Sequence, residues 1–104
     1  VINYAGNFIA DGKVTMNFFH KPNYIGVLTE DNIGFANKVA EMMTGADLET
    51  EYTEIIRTYV WEKVILNAAL APLSALTGMT MKEVTTFEDT TEMMKELLHE
   101  GITV

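Results

Sequence analysis

Apolar positions along this chain alternate between a period of two and a period close to 3.6, and each switch marks a predicted element. Residues 2–10, INYAGNFIA, carry β-favouring side chains and run into Asp11-Gly12, a strong turn dipeptide. Residues 13–19, KVTMNFF, set Val14, Met16 and Phe18 against Lys13, Thr15 and Asn17, the alternation of a strand. Lys21-Pro22-Asn23 predicts a second turn, and 24–28 a third short strand in which Gly26 marks a bulge or a close backbone approach. Three strands with tight turns make an antiparallel meander. Alone it has nothing to cover its apolar face, so it reads as the end of a larger sheet.

Helical spacing then takes over. Thr29 is a suitable N-cap, with Glu30 and Asp31 facing the positive end of the helix dipole. Ile33, Ala36, Val39, Ala40 and Met43 form the buried stripe of a helix running to about Thr44, closed by Gly45. Residues 46–52, ADLETEY, are an acidic and weakly alternating stretch that predicts an extended link. A long apolar helix begins near Thr53 and ends at Gly78, with a bend or restart at Pro72, which lacks an amide hydrogen and crowds the carbonyl of Ala68. Thr80 caps a helical turn over 81–84, and residues 88–100 make the last helix. The fold class is therefore α+β: a three-stranded antiparallel meander followed by a mainly helical part.

Within the long helix, WEKVILNAALAPLSALTG (61–78) holds one lysine, Lys63, and one amide, Asn67. Four residues apart, they project about 40° from one another on one face. Ile56, Val60, Leu70 and Ser74 fall near the same stripe. A cation among aliphatic residues is costly unless it reaches a cleft, a partner or water. Two readings follow from the residues alone. Lys63 lays its methylenes along the core and sends its ammonium to water, with Asn67 a buried amide tied to backbone carbonyls freed by Pro72. Otherwise Lys63 is a partly desolvated proton donor, with Asn67 orienting a hydroxyl or carboxylate of a bound molecule.

Composition narrows the partners. The 104 residues carry 15 acids against 7 bases, a formal net charge of −8, so no basic stripe exists to neutralise nucleic-acid phosphates or an anionic membrane. No cysteine is present, which excludes disulfides, thiolate nucleophiles and cysteine metal sites and suits the reducing cytoplasm. His20 and His99 stand alone, so no metal site is expected. The glycines never approach G-x-G-x-x-G. Seven methionines read as adaptable core filling, Glu49, Glu51 and Glu54 as a solvated acidic edge, and Ser74 as structural. The chain starts at Val1 rather than Met and stops inside a helical pattern, so it is read as a piece of a longer protein.

The order of features is more specific than any one of them. Asp11-Gly12, then Ile25-Gly26, a helix, an acidic link, and Ile56 precede Trp61, Lys63 and Asn67 as W-x-K-x-x-x-N; Pro72 to Gly78, PLSALTG, and a later helix with Glu100 follow. This pattern resembles the ketopantoate reductase (2-dehydropantoate 2-reductase) family over nearly the whole chain. The resemblance implies a two-domain NADPH-dependent enzyme. Residues 1–28 would be the last strands of its Rossmann-type cofactor domain, and 29–104 the first part of its helical substrate and dimerisation domain. It also implies that Lys63 is the general acid, that Asn67 binds the 2-keto acid substrate, and that the NADPH-binding glycine motif lies upstream of Val1. A homodimer through the helical domain and a cytoplasmic location fit the same picture. Two positions depart from the family's pattern: Ala71 stands where an asparagine often precedes the proline, and Met81 where another substrate-contacting asparagine is expected. A related dehydrogenase for another branched or aromatic 2-keto acid therefore stays open, as does a non-catalytic helical interaction module on the same scaffold.

Overall fold

In the computed structural model, which describes residues 1–104, the chain divides into two compact units, Val1–Tyr59 and Val60–Val104. The first unit opens with a hairpin of β1 (Tyr4–Ala10) and β2 (Lys13–Phe19), antiparallel, turning through Gly12 at φ 71°. Only glycine adopts that left-handed conformation without steric cost, as the Asp-Gly turn predicts. Tyr4 and Phe19 meet edge to face across the pair. Nearly every hairpin side chain is exposed, Phe8 by 87%.

The third strand corrects the expected meander. β3 (Asn23–Ile25) does not join β2 but pairs in parallel with β4 (Thr50–Tyr52), inside the stretch expected to be a link. Local hydrogen bonding explains the departure. His20 N–H closes onto the Asn3 carbonyl at 2.9 Å, and Pro22 has no N–H to continue a ladder. The fully buried Asn23 then turns its side chain to the hairpin's stem, its Oδ1 accepting from Asn3 N–H at 2.8 Å, while Asn3 Nδ2 donates to the Pro22 carbonyl at 2.9 Å. Backbone groups of β3 alternate sides. Asn23 N–H donates to Glu49 O and Ile25 O accepts from Thr53 N–H, both at 2.8 Å, whereas Tyr24 exchanges bonds with Val1 on the opposite edge. Parallel strands need a long crossover, and here a 3₁₀ turn (Glu30–Asn32) and α1 (Ile33–Gly45) supply it.

α1 buries Ala36 and Ala40, with Ile33, Val39 and Met43 half-buried beside them, the stripe expected from the spacing. Thr29 precedes the 3₁₀ turn rather than α1 itself, and its hydroxyl accepts from Asn32 Nδ2. Gly45 stays inside the helix. The left-handed residue is Asp47 at φ 62°, with Leu48 N–H donating to Met43 O and Asp47 N–H to Thr44 O. These are the paired bonds of a Schellman ending, shifted two residues past the expected glycine. Thr44 also reaches β4: its hydroxyl accepts from Thr50 N–H at 3.0 Å and donates to Thr50 O at 3.2 Å. Gly26 comes close to the start of α2 (Ile56–Thr77), where an added Cβ would lie 2.5 Å from Ile56 Cγ2 and 2.8 Å from the Thr53 carbonyl oxygen. The expected close approach is therefore real.

The second unit consists of the remainder of α2, α3 (Met81–Val84) and α4 (Glu88–Thr103). α2 does not restart at Pro72; it runs on to Thr77. Gly78 ends it at φ 70°, with its N–H on Ser74 O. α3 is held by a capping box in which Thr80 Oγ accepts from Glu83 N–H at 3.3 Å and Glu83 Oε2 accepts from Thr80 N–H at 2.7 Å. Ala69, Leu73 and Val84 are buried, and Gly101 of α4 lies against Ile65, whose Cγ2 would be 2.9 Å from an added Cβ. Thr90 is buried as well and donates to the Val84 carbonyl at 2.8 Å, tying α4 to the end of α3.

Candidate functional site

Helical geometry decides which side of α2 is open. Taking about 100° per residue, Ile65, Ala69 and Leu73 mark one stripe; Ala69 and Leu73 are 1% and 4% exposed, and Ile65 is the residue against Gly101. Measured from the middle of that stripe, Lys63 points about 120° away and Asn67 about 160° away. Both lie one turn apart on the side of α2 turned from the unit's core. Lys63 is half-buried and Asn67 is exposed. Asn67 is thus not the buried amide of the first reading, and its carbonyl and NH₂ groups are accessible to a bound molecule.

Of the companions expected on that stripe, Ile56, Leu70 and Ser74 are half-buried and Val60 is exposed. Ser74 has a definite structural task. Its hydroxyl donates to the Met79 carbonyl at 2.6 Å, Thr77 Oγ donates to Leu73 O at 2.6 Å, and Met79 N–H returns to Thr77 Oγ at 3.2 Å. These bonds fold the segment after α2 back onto the helix end and lead into the Thr80 cap. The sequence signal was present, since short hydroxyl side chains near a helix terminus compete for its unpaired backbone groups. Ala71 and Met81 are both exposed.

Two features of the first unit were not anticipated. Tyr24 stacks on Tyr59 with ring centroids 4.0 Å apart and planes 12° from parallel. A hydrogen bond with Tyr59, assisted by desolvation and by the charges of Tyr59 and Glu51, holds the Tyr24 phenol above its usual range. Between α1 and β4 lies an open groove of about 610 Å³ lined by Asn37, Glu41, Thr44, Glu51 and Tyr52 among others. His20 stacks on Phe18 at 6.5 Å. Of the expected acidic edge, Glu51 and Glu54 are exposed, and Glu49 pairs with Lys21 at 3.0 Å. No helix is long and apolar enough to cross a membrane.

Comparison with known proteins places these residues in context. Residues 55–104 match the family described as "Ketopantoate reductase PanE/ApbA C terminal", a segment that contains Lys63 and Asn67. The chain is 31% identical over 80 residues to a 2-dehydropantoate 2-reductase of Pyrococcus abyssi, covering 77% of this chain and 27% of that protein. It is 30% identical over 74 residues to a 2-dehydropantoate 2-reductase of Streptococcus pyogenes, covering 71% and 24% respectively. It thus spans about a quarter of the length of the curated relatives it matches. No solved structure matches the chain.

Proposed function

Since the chain belongs to the ketopantoate reductase family, we propose that it is part of an NADPH-dependent 2-keto acid reductase, reducing ketopantoate or a related 2-keto acid. With ketopantoate as substrate, the product would feed pantothenate and coenzyme A synthesis in the cytoplasm. The observation that carries the reading is Lys63 and Asn67, one turn apart on the open side of α2, inside the segment the family shares.

Reducing a 2-keto carbon to an alcohol requires a hydride at carbon and a proton at oxygen, and this chain's part is the proton. The Lys63 ammonium donates to the developing alkoxide, and its positive charge stabilises that oxygen as negative charge builds. Asn67 hydrogen-bonds the substrate and fixes it against Lys63. The residues present do not suit NADPH itself. The turn from β3 into the 3₁₀ helix and α1, the only strand-to-helix turn that opens a parallel crossover here, carries Glu30 and Asp31 and lacks the glycine spacing a pyrophosphate needs. Cofactor binding is accordingly assigned to the parent protein outside this chain, with residues 1–28 as the closing strands of that domain and 29–104 opening the helical one.

In the full-length enzyme, Lys63→Ala lowers turnover ~100-fold or more, the scale of lost general acid catalysis. Near-wild-type turnover removes Lys63 from the chemistry. A second reading is favoured by one specific observation: Val60, Trp61 and Val64, which fall within about 100° of one another around α2, are all exposed, an apolar strip suited to a homodimer or a non-catalytic helical module. A Rossmann glycine motif encoded upstream of Val1 favours the enzyme; a parent protein without one favours the module.

A further inference from the structure

α2 is unbroken from Ile56 to Thr77, and its first turn belongs to the first unit, where it is bound to β3. Three contacts bind it. Thr53 N–H, just before the helix, donates to Ile25 O at 2.8 Å. Gly26 leaves room for Ile56, against which a Cβ of its own would collide. One turn on, the Tyr59 ring lies on Tyr24 with centroids 4.0 Å apart and planes 12° from parallel, and the two side chains share a hydrogen bond. Tyr24 is itself fixed, since its backbone exchanges bonds with Val1. These contacts differ in what they resist. The backbone bond and the close approach hold the helix start near β3. Two flat rings in face contact also hold its angle, because rolling α2 about its axis tilts one ring against the other or slides it off.

Lys63 lies four residues past Tyr59, about 6 Å along the axis and about 40° around it. Viewed down the axis, Lys63 falls between Ile56 and Tyr59, so the two side-chain contacts bracket its direction. Granting the reductase reading above, we infer that the Tyr24–Tyr59 stack is a positioning device for Lys63, setting the roll of α2 and with it the line of proton delivery. The lever is long. A roll of about 10° carries an ammonium roughly 8 Å from the axis through about 1.4 Å. Misplacing a reacting group by ~1 Å costs ~100-fold in rate. Neither tyrosine has to touch substrate for this; both act through the helix that carries Lys63.

The test uses the full-length protein with NADPH and the fastest of a panel of 2-keto acids that includes ketopantoate. Tyr59→Leu and, from the β3 side, Tyr24→Leu keep apolar bulk but lose the flat face. Each is expected to lower kcat by ~10- to 100-fold with KM for NADPH unchanged. Tyr59→Phe keeps the face and is expected to stay within ~3-fold of wild type. A double-mutant cycle separates positioning from stability. Lys63→Ala leaves no ammonium to place, so adding either leucine to it changes kcat by less than ~2-fold. A loss of folded protein multiplies through any background, so a further loss of ~10-fold or more in Lys63→Ala overturns the proposal. Wild-type turnover in both leucine variants overturns it too. Tyr24→Leu covers poor folding of Tyr59→Leu, because it leaves α2 itself unchanged. Reduction of none of the acids, or full turnover in Lys63→Ala, overturns the reading beneath the proposal and is seen in proteins whose tyrosines are intact.

Discussion

Replacing Gly26 by alanine isolates the packing between β3 and the start of α2. The Gly26 backbone is not left-handed, so alanine meets no conformational barrier there, and its smaller unfolded-state entropy favours folding by about 0.4–1 kcal/mol. Against this, the new Cβ lies 2.5 Å from Ile56 Cγ2 and 2.8 Å from Thr53 O, where carbon contacts are best at about 3.5–4.0 Å. Ile56 also presents its Cβ, so a rotamer change cannot relieve the clash. Thr53 is held in place because its N–H donates to Ile25 O at 2.8 Å. The junction must therefore move away from β3 by ~1 Å, adding a weakened hydrogen bond worth about 1 kcal/mol to an overpacking cost of about 1–3 kcal/mol. Net destabilisation of about 2–3 kcal/mol follows. Hydrogen exchange of the Thr53 amide is the local readout, accelerated by about 30- to 150-fold at tenfold per 1.4 kcal/mol. Gly34→Ala is the control: nothing lies within 4 Å of its added Cβ, and in α1 it stabilises by about 0.5–1 kcal/mol. Unchanged Thr53 protection in Gly26→Ala refutes the close approach.

Three further outcomes are expected. Asn23→Ala removes the acceptor for Asn3 N–H at a fully buried position and destabilises the first unit by about 1–3 kcal/mol, read as faster exchange of the Asn3 and Tyr24 amides; unaltered exchange there removes Asn23 as the reason β3 leaves the hairpin. The bonds from Thr80 N–H and then the Thr80 hydroxyl hold the Glu83 carboxyl below its usual range, so this contribution is full above the ordinary glutamate pKa and disappears as pH falls through the lowered one. NMR titration of Glu83 in wild type and Thr80→Ala checks it, the pKa returning upward in the variant. Gly101→Ala pushes a Cβ to 2.9 Å from Ile65 Cγ2, a flexible side-chain atom, and costs about 1 kcal/mol in denaturant unfolding, less than at Gly26 because Ile65 can yield.

What the sequence could announce depended on how local the signal was. β1 and β2 were legible because seven-residue alternation and an Asp-Gly turn lie within one hairpin. The parallel pair was not. β3 and β4 have three residues each, and Thr50-Glu51-Tyr52 is too short and too polar to separate from an acidic link. Their pairing rests on Asn23, whose side chain takes the N–H of a residue twenty positions earlier, which no periodicity encodes. The end of α1 was misplaced for a subtler reason. Gly45 and Asp47 both suit a left-handed residue, and the choice fell to Leu48 N–H finding Met43 O. At Pro72 the lost hydrogen bond is one among many in a helix of 22 residues, which the rest of α2 outweighs.

The candidate site divides along the same line. Lys63 and Asn67 stand out in the sequence because two polar residues four apart interrupt an apolar helix, and that spacing alone puts them on one face. Which way the face points was hidden, since α2 is apolar almost all round and its periodicity nominates no single buried side. Small residues decide it: Ala69 is buried to 1% exposure with Leu73 beside it on the same stripe, and Gly101 of α4 admits Ile65. A helix committed to its neighbours through that stripe has to present Lys63 and Asn67 on the other side. The apolar surroundings that first made Lys63 look like a core residue then take on a different meaning, because Ala71, Leu70 and Val64 border the polar pair on its open side. They leave Lys63 and Asn67 as the polar pair of an otherwise apolar face, the arrangement on which the proposed proton-donor reading rests.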